Sequence, residues 1–389
     1  MKKMFRRKHT VRVRQNLFEF LRRRSVPRLI AARKSEWSIT FNVSSNFTVE
    51  TFTNYIYEAT GQDLSGPGSL IMLHPGQSLD LIVAPGVYIT VDLQGSLRFL
   101  AVEGGACTLS GDDDSTFEIM HGVGYRDTGS DISNAGGIRV GTGTLGVSKL
   151  HLRVRSCVAQ GSAGIYVVYG KMTVGGVATV LVQECVATQK AGGGVSIWEG
   201  ELWMDGDDSL VEARDCSSGD AGGGFINFGG TLEMKGENSH LLASGCVAGT
   251  YAPNYGYGSG FAFSNAVRLE DRHLVPTLVM RAYGAHISAV ACRAVGSAAI
   301  VFDFAHIFKR DDTNTITARD NTASAPSSSS DIFSTTSAIL FYQTQSFELR
   351  GPKIRPNPGP AIVLRVSNNT CDGSPCGAEI GNSLAIVEL

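Results

Sequence analysis

Between residues 136 and 323 the polar and apolar positions follow a period of about thirty residues, not the 3.6 of a helix. Each unit holds three short alternating or apolar runs. One follows a glycine cluster, one is built on Leu-x-Met, and one precedes a cysteine. The segments starting at Lys171 ("KMTVGGVATVLVQECVATQKAGGGVSI"), Glu201 ("ELWMDGDDSLVEARDCSSGDAGGGFINF") and Thr231 ("TLEMKGENSHLLASGCVAG") superimpose in this way. Cys157, Cys185, Cys216 and Cys246 are spaced by 28, 31 and 30 residues. Leu202, Leu232 and Leu278 each stand 14 residues before a cysteine, the last being Cys292, and Met204, Met234 and Met280 follow two residues later. The insertion "TYAPNYGYGSG" stretches the interval from Cys246 to Cys292 to 46 residues. In "ARDNTA", Asn321 takes the cysteine's place.

Alternating runs separated by Gly, Asp, Asn and Ser read as strands and turns. Three strands per unit, repeated, predict an all-β protein: a single-stranded right-handed parallel β-helix with coils of roughly 30 residues. One coil cannot bury its inner face alone, so neighbours stack and share a core. This explains "EARDCSSGDAGGGF" (212–225), which in isolation resembles a phosphate loop or a redox site. The glycines allow a left-handed turn or close approach of a neighbouring coil. The cysteine is small and apolar enough to stack inside on its counterparts. No Lys-Ser/Thr follows the glycines and no CxxC or neighbouring His or Lys activates the thiol. The expected structural stack is therefore Cys157, Cys185, Cys216, Cys246 and Cys292.

The glycine clusters "GGI" (136–138), "GGGV" (192–195) and "GGGF" (222–225), together with "ARDC" and "ARDN", carry a resemblance. The chain resembles the pectin-lyase-like superfamily of right-handed parallel β-helices. Within it the pattern is similar to the GGAI/FxxN repeats of polymorphic outer-membrane-protein-like solenoids, with cysteine mostly replacing asparagine. The segment 68–111, with its "PGVY" turn, looks like opening coils. The resemblance covers about 66–345 and speaks for fold more than for activity. It divides the chain into a basic arm (1–35), an N-terminal cap (36–65), the solenoid (66–345), and a last coil with C-terminal cap (346–389).

Charge alters the picture at one end. Residues 1–34 hold 13 Lys/Arg against Glu19, a charge of +12, so the rest carries −14 within a net −2. An acidic body repels phosphate and the arm has few interleaved aromatics, so nucleic-acid binding is disfavoured. No apolar run is long enough for a transmembrane helix. The arm reads as an organellar address or a solvated tail. The sequons at Asn42, Asn46 and Asn368 point instead to secretion. An extracellular, cell-surface or organellar location is expected over a cytosolic one.

Candidate chemistry falls in three places. Asp205, Asp208, Asp215 and Asp220 would line an acidic groove if the coils bring them together. The resemblance implies that enzymes of this fold cut acidic polysaccharides with clustered aspartates, but the Asn-Thr-Asp, Gly-His-Gly and Arg-Ile-Lys motifs expected of such hydrolases are missing. The acidic turns offer at most a weak calcium site; no other cofactor is expected and no metal-ligand spacing occurs. Tyr251, Tyr255, Tyr257 and Phe261, from the insertion, would present rings to a sugar or a partner. "CDGSPC" can close a Cys371–Cys376 disulfide, with free thiols as the alternative. His240 and His286 occupy similar places in their repeats. The function expected is a non-catalytic, structural or adhesion-type solenoid presenting a surface for carbohydrate or protein. The alternative is a carbohydrate-active enzyme, a polysaccharide lyase or glycoside hydrolase, with an acidic groove.

Overall fold

The computed structural model describes residues 12–13, 37–43, 49–60, 65–66, 68–124, 135–250, 257–264, 275–295, 298–310, 313–324, 337–342, 345–348 and 363–380. Four sheets run along the molecule; among the described residues the chain visits three of them in the same order in every coil and adds the fourth from Val158–Ala159 onward. One coil passes through Val195–Trp198 (sheet III), Glu201–Met204 (sheet I), Leu210–Arg214 (sheet II) and Ser217–Ser218 (sheet IV). It re-enters sheet III at Phe225–Phe228. Strands pair in parallel with the same strand of the next coil, and the result is a right-handed parallel β-helix.

The register is the repeat read from the sequence. Leu202, Leu232 and Leu278 are paired positions in sheet I, as are Met204, Met234 and Met280. All six are buried. In sheet II, Val180, Val211, Leu241, Ile287 and Ile316 stack in the same way. The alternate positions, Thr179, Leu181 and Gln183 in one strand and His240, Leu242 and Ser244 in another, point outward and are half-buried.

Two kinds of device turn the corners. Residues in the left-handed region stand in columns: Glu184, Asp215, Gly245, Ala291, Asp320 and Asn368 follow sheet II, and Tyr169, Glu199, Gly229 and Phe304 lead from sheet III to sheet I. Immediately after the first column comes the inner ladder. Cys157, Cys185, Cys216, Cys246 and Cys292 are all buried and free, and Asn321 and Asn369 continue the column.

Both ends elaborate the solenoid. Trp37–Val43, placed in the cap by sequence, is a full strand of sheet I paired in parallel with Gln77–Val83. The helix α1 (Val49–Thr60) buries Phe52, whose ring lies 5.9 Å from Phe99. Of the basic arm only Arg12–Val13 is described, paired with Thr40 and Phe41. At the other end Val363–Ser367 and Ala378–Ile380 extend sheets II and III. Between them Thr370–Cys371 and Ser374–Pro375 form an antiparallel pair closed by the Cys371–Cys376 disulfide.

Candidate functional site

The four aspartates do not line one groove. Asp205 and Asp208 are exposed at the corner before Leu210–Arg214, and Asp215 is exposed at the corner after it. Six residues of nearly extended chain separate Asp208 from Asp215, about 20 Å. Asp205 lies 3.4 Å from Lys235 Nζ, and Asn238 Nδ2 donates to Asp208 at 3.2 Å. Asp220 sits beyond sheet IV, on the approach to sheet III. The aspartates recur at successive corners because corners need turn residues, and corners face different ways.

The aromatic group is corrected too. Phe261 is an inward residue of sheet III, stacked on Phe225 with centroids 4.7 Å apart. Tyr257 is buried on the outer side of that sheet against Ile226, Ala262 and Val301. Neither ring has a free face for a sugar. Tyr251 and Tyr255 lie outside the described residues, as does Asn46; Asn368 is exposed at its corner.

The outer face of sheet III concentrates the unusual chemistry instead. One outward row runs Arg139, Tyr166, Ser196, Ile226, Ala262, Val301, Leu340 in continuous register. Most outward faces of this solenoid are wet, yet from Tyr166 onward this row is buried. Tyr166, Ser196 and Asp303 are each 2% exposed. Tyr166 Oη, Ser196 Oγ, Asp303 Oδ1 and Asp220 Oδ1 have no hydrogen-bond partner. Buried polar atoms are almost always paired, so several orphans on one face need a reason. Beside this row stand rings. Trp198 and Phe228, half-buried, lie with centroids 5.2 Å apart. At the adjoining corner Tyr169 is 57% and Phe304 42% exposed. Sheet I also carries a tryptophan, Trp203, but Lys171 and Lys235 cover its ring.

Electrostatics single out the same face. Burial pushes the Asp220 carboxyl up to about 6, and likewise that of Asp303, where Ser264 Oγ donates to Oδ2 at 3.0 Å and partly offsets the rise. Burial also raises the Tyr257 phenol, and the fields of Asp220 and Asp303 add to the rise. Asp220, Tyr257, Ser264 and Asp303, scattered in sequence, thus form one interacting group. At the other end the Arg139 guanidinium binds the Glu103 carboxylate.

A second polar surface is the outer face of sheet II. His240 and His286 are paired positions with rings edge to face, centroids 4.8 Å apart. His240 Nε2 lies 3.0 Å from Ser288 Oγ, and His286 bonds to Thr315. Buried Glu212 is held by both Arg214 nitrogens, at 2.8 and 3.0 Å, and by Ser244 Oγ at 3.1 Å. These groups satisfy one another, which favours a structural role.

The sequence did not single out Tyr166, Ser196, Trp198, Phe228 or Asp303. Their runs, "IYVV", "VSIW", "FINF" and "AAIVFD", lack clean alternation, and that was the available signal. A strand covered on both faces reads as a continuous apolar run. Among the described residues no three His, Cys, Asp or Glu side chains gather as a metal site, and no helix is long and apolar enough to cross a membrane. No family model, curated protein or solved structure matches the chain.

Proposed function

We propose that the protein is a non-catalytic, structural or adhesion-type solenoid whose sheet III face binds carbohydrate. The observation that carries this reading is the set of partly exposed rings, Tyr169, Trp198, Phe228 and Phe304, along the edge where sheet III turns toward sheet I. Aromatic rings stack on sugar faces. A rigid array of stacked coils suits presentation of an extended surface. The Cys371–Cys376 disulfide fits an oxidising compartment, and so a secreted or surface-exposed role.

The test is a glycan array combined with a depolymerisation assay on the full chain. Binding without turnover is expected, weakened at least tenfold by Trp198→Ala or Phe228→Ala. Binding indifferent to both substitutions would sink the assignment to this face. A second reading rests on the two buried carboxyls of Asp220 and Asp303, which burial pushes up to about 6, the range a general acid in glycoside cleavage requires. Release of reducing ends, abolished by Asp220→Asn or Asp303→Asn, would make the protein an enzyme and displace the binding reading.

A further inference from the structure

We infer that Asn368 is an N-glycosylation site, which takes an oligosaccharide from a polyprenyl-diphosphate donor onto its side-chain nitrogen. The inference is independent of what the rings beside sheet III bind. It shares with the reading above only the oxidising compartment.

The triplet Asn368-Asn369-Thr370 has the acceptor pattern Asn-x-Ser/Thr. Such triplets are frequent by chance, so the case rests on where the fold puts each residue. Asn368 is the left-handed residue, φ +54°, of the corner that follows sheet II. The Asp320 N–H donates to the Ser367 carbonyl at 3.1 Å, so Asn368 stands one rung beyond Asp320 in the corner column. It is exposed, as Asp215, Ala291 and Asp320 are at the same corner of other coils. Asn369 points the other way and is 3% exposed. Its Nδ2 donates to the Ala318 carbonyl at 2.9 Å, and its Oδ1 accepts from the Asn321 backbone N–H at 3.0 Å and from Asn321 Nδ2 at 2.9 Å. Thr370 faces out again. It is half-buried in the outward row of sheet IV, where Val158, Val186, Ser217, Val247, Arg293 and Thr322 precede it. The acceptor amide and the hydroxyl of the triplet therefore both reach the surface, while the residue between them is a rung of the core.

The fold thus chooses between adjacent asparagines. Asn369 is held by the ladder, and the third residue of its own triplet is Cys371, which is engaged in the disulfide. Asn42 lies within the paired strand Trp37–Val43, and its Ser44, like Asn46, lies outside the described residues. The second observation is the disulfide itself. Cys371 follows Thr370 directly and is bonded to Cys376. Disulfides persist in oxidising compartments, and the secretory lumen, which is one, also holds the lipid-linked donor.

In the transfer Asn368 Nδ2 attacks the anomeric carbon of the first sugar. The C–N bond forms as the C–O bond to diphosphate breaks. Polyprenyl diphosphate leaves with the bonding electrons, and Nδ2 gives up one proton to the transferase, so no oxidant or reductant is involved. In the folded chain the Asn369 rung fixes the triplet across its corner. Transfer therefore precedes closure of the last coil, which then leaves the bulky, solubilising glycan in solvent.

The experiment is peptide mapping by mass spectrometry of the full chain from its source cells, before and after peptide N-glycosidase. The peptide holding Asn368 should carry a glycan, and the glycosidase should remove it and leave Asp at 368. Variants made through a eukaryotic secretory pathway assign the site. Asn368→Asp places at the corner the residue already found there as Asp215 and Asp320, and Thr370→Val places in sheet IV the residue found as Val158, Val186 and Val247. Each should keep wild-type circular dichroism and lose this glycan completely, whereas Thr370→Ser should retain it. Unmodified Asn368 in protein whose Cys371 and Cys376 are oxidised would overturn the inference and leave the reading above standing. A glycan on Asn369, or one that survives Thr370→Val, would also overturn it. Unmodified Asn368 beside reduced cysteines would overturn the inference and the oxidising compartment together.

Discussion

Cys216 shows what the inner corner asks of a residue. Its thiol donates to the Val182 carbonyl at 3.4 Å; Cys246 reaches Ala213 at 3.3 Å and Cys292 reaches Ala243 at 3.5 Å. Asn321 Nδ2 reaches Ala289 at 3.0 Å, and Asn369 Nδ2 reaches Ala318 at 2.9 Å. Every acceptor lies three residues before the donor's counterpart in the preceding coil. The cysteines are therefore weak-donor substitutes in an asparagine-type ladder, and this answers why thiols recur once per coil. Asparagine does more: Asn321 Oδ1 also accepts from the Cys292 N–H at 2.8 Å. Burial pushes the Cys185 and Cys246 thiols well up, so they stay protonated and unreactive. In the folded protein a thiol reagent should label none of the six free cysteines promptly, and unfolding should release all six. Cys292→Asn should stay within about 1 kcal/mol of wild type by denaturant midpoint, because the site already accepts that geometry one rung later, whereas Cys292→Leu should lose about 1–3 kcal/mol by overpacking. Rapid labelling of native protein would contradict the ladder.

At the scale of the element, the glycine cluster entering sheet III has two separate duties. Gly222 takes φ +65°, a left-handed turn. Gly223 has no such requirement, but a Cβ there would sit 2.4 Å from the Val247 carbonyl oxygen and 2.7 Å from that of Ser259. Backbone of the next coil cannot yield as a side-chain end can. Gly223→Ala should cost about 3 kcal/mol. Gly175→Ala, where a Cβ would meet nothing within 4 Å, should change stability by no more than about 0.5 kcal/mol. Equal effects, measured as denaturation midpoints, would refute the close-approach account. This contrast also shows what was legible in the sequence. The Leu-x-Met pairs, the cysteine column, its replacement by Asn321 and the common face of His240 and His286 could be read because each depends only on the repeat length. Tyr257 could not, because it re-enters from an insertion that breaks the repeat, and nothing local says it folds onto Ile226 and Ala262. Asp220 and Asp303 sit three coils apart in sequence, and their shared surroundings exist only once sheet III is assembled. Asn369 was missed because residues 346–389 depart from the thirty-residue spacing.

For the whole molecule, two sets of buried titratable groups pull stability in opposite directions with pH. Asp220 and Asp303 are held near 6 by burial, against 3.8 for a free carboxyl. Their neutral form suits the fold, so the stability they contribute is complete below about pH 4 and is lost as pH rises through 6. The cost at pH 7 is on the order of 3 kcal/mol for each. His286 is pushed down to about 4 by burial, then by the fields of His240 and Arg365. His240 is lowered by burial, with Glu212 opposing. Their neutral forms also suit the fold, but for imidazole that means stability is complete above pH 6.5 and is lost as pH falls toward 4. Between pH 4 and 6 the two slopes cancel in part, so the wild-type profile should be shallow. Single substitutions should unmask each arm. Asp303→Asn should raise the denaturation midpoint at pH 7.5 and leave it nearly unchanged at pH 3.5. His286→Gln should do the reverse, helping at pH 4 and not at pH 7.5. The pair of profiles matters more than either alone, because each variant should act only in the pH range where its own buried group would be charged. If Asp303→Asn instead destabilised the protein at pH 7.5, its carboxylate would be charged and held in the fold.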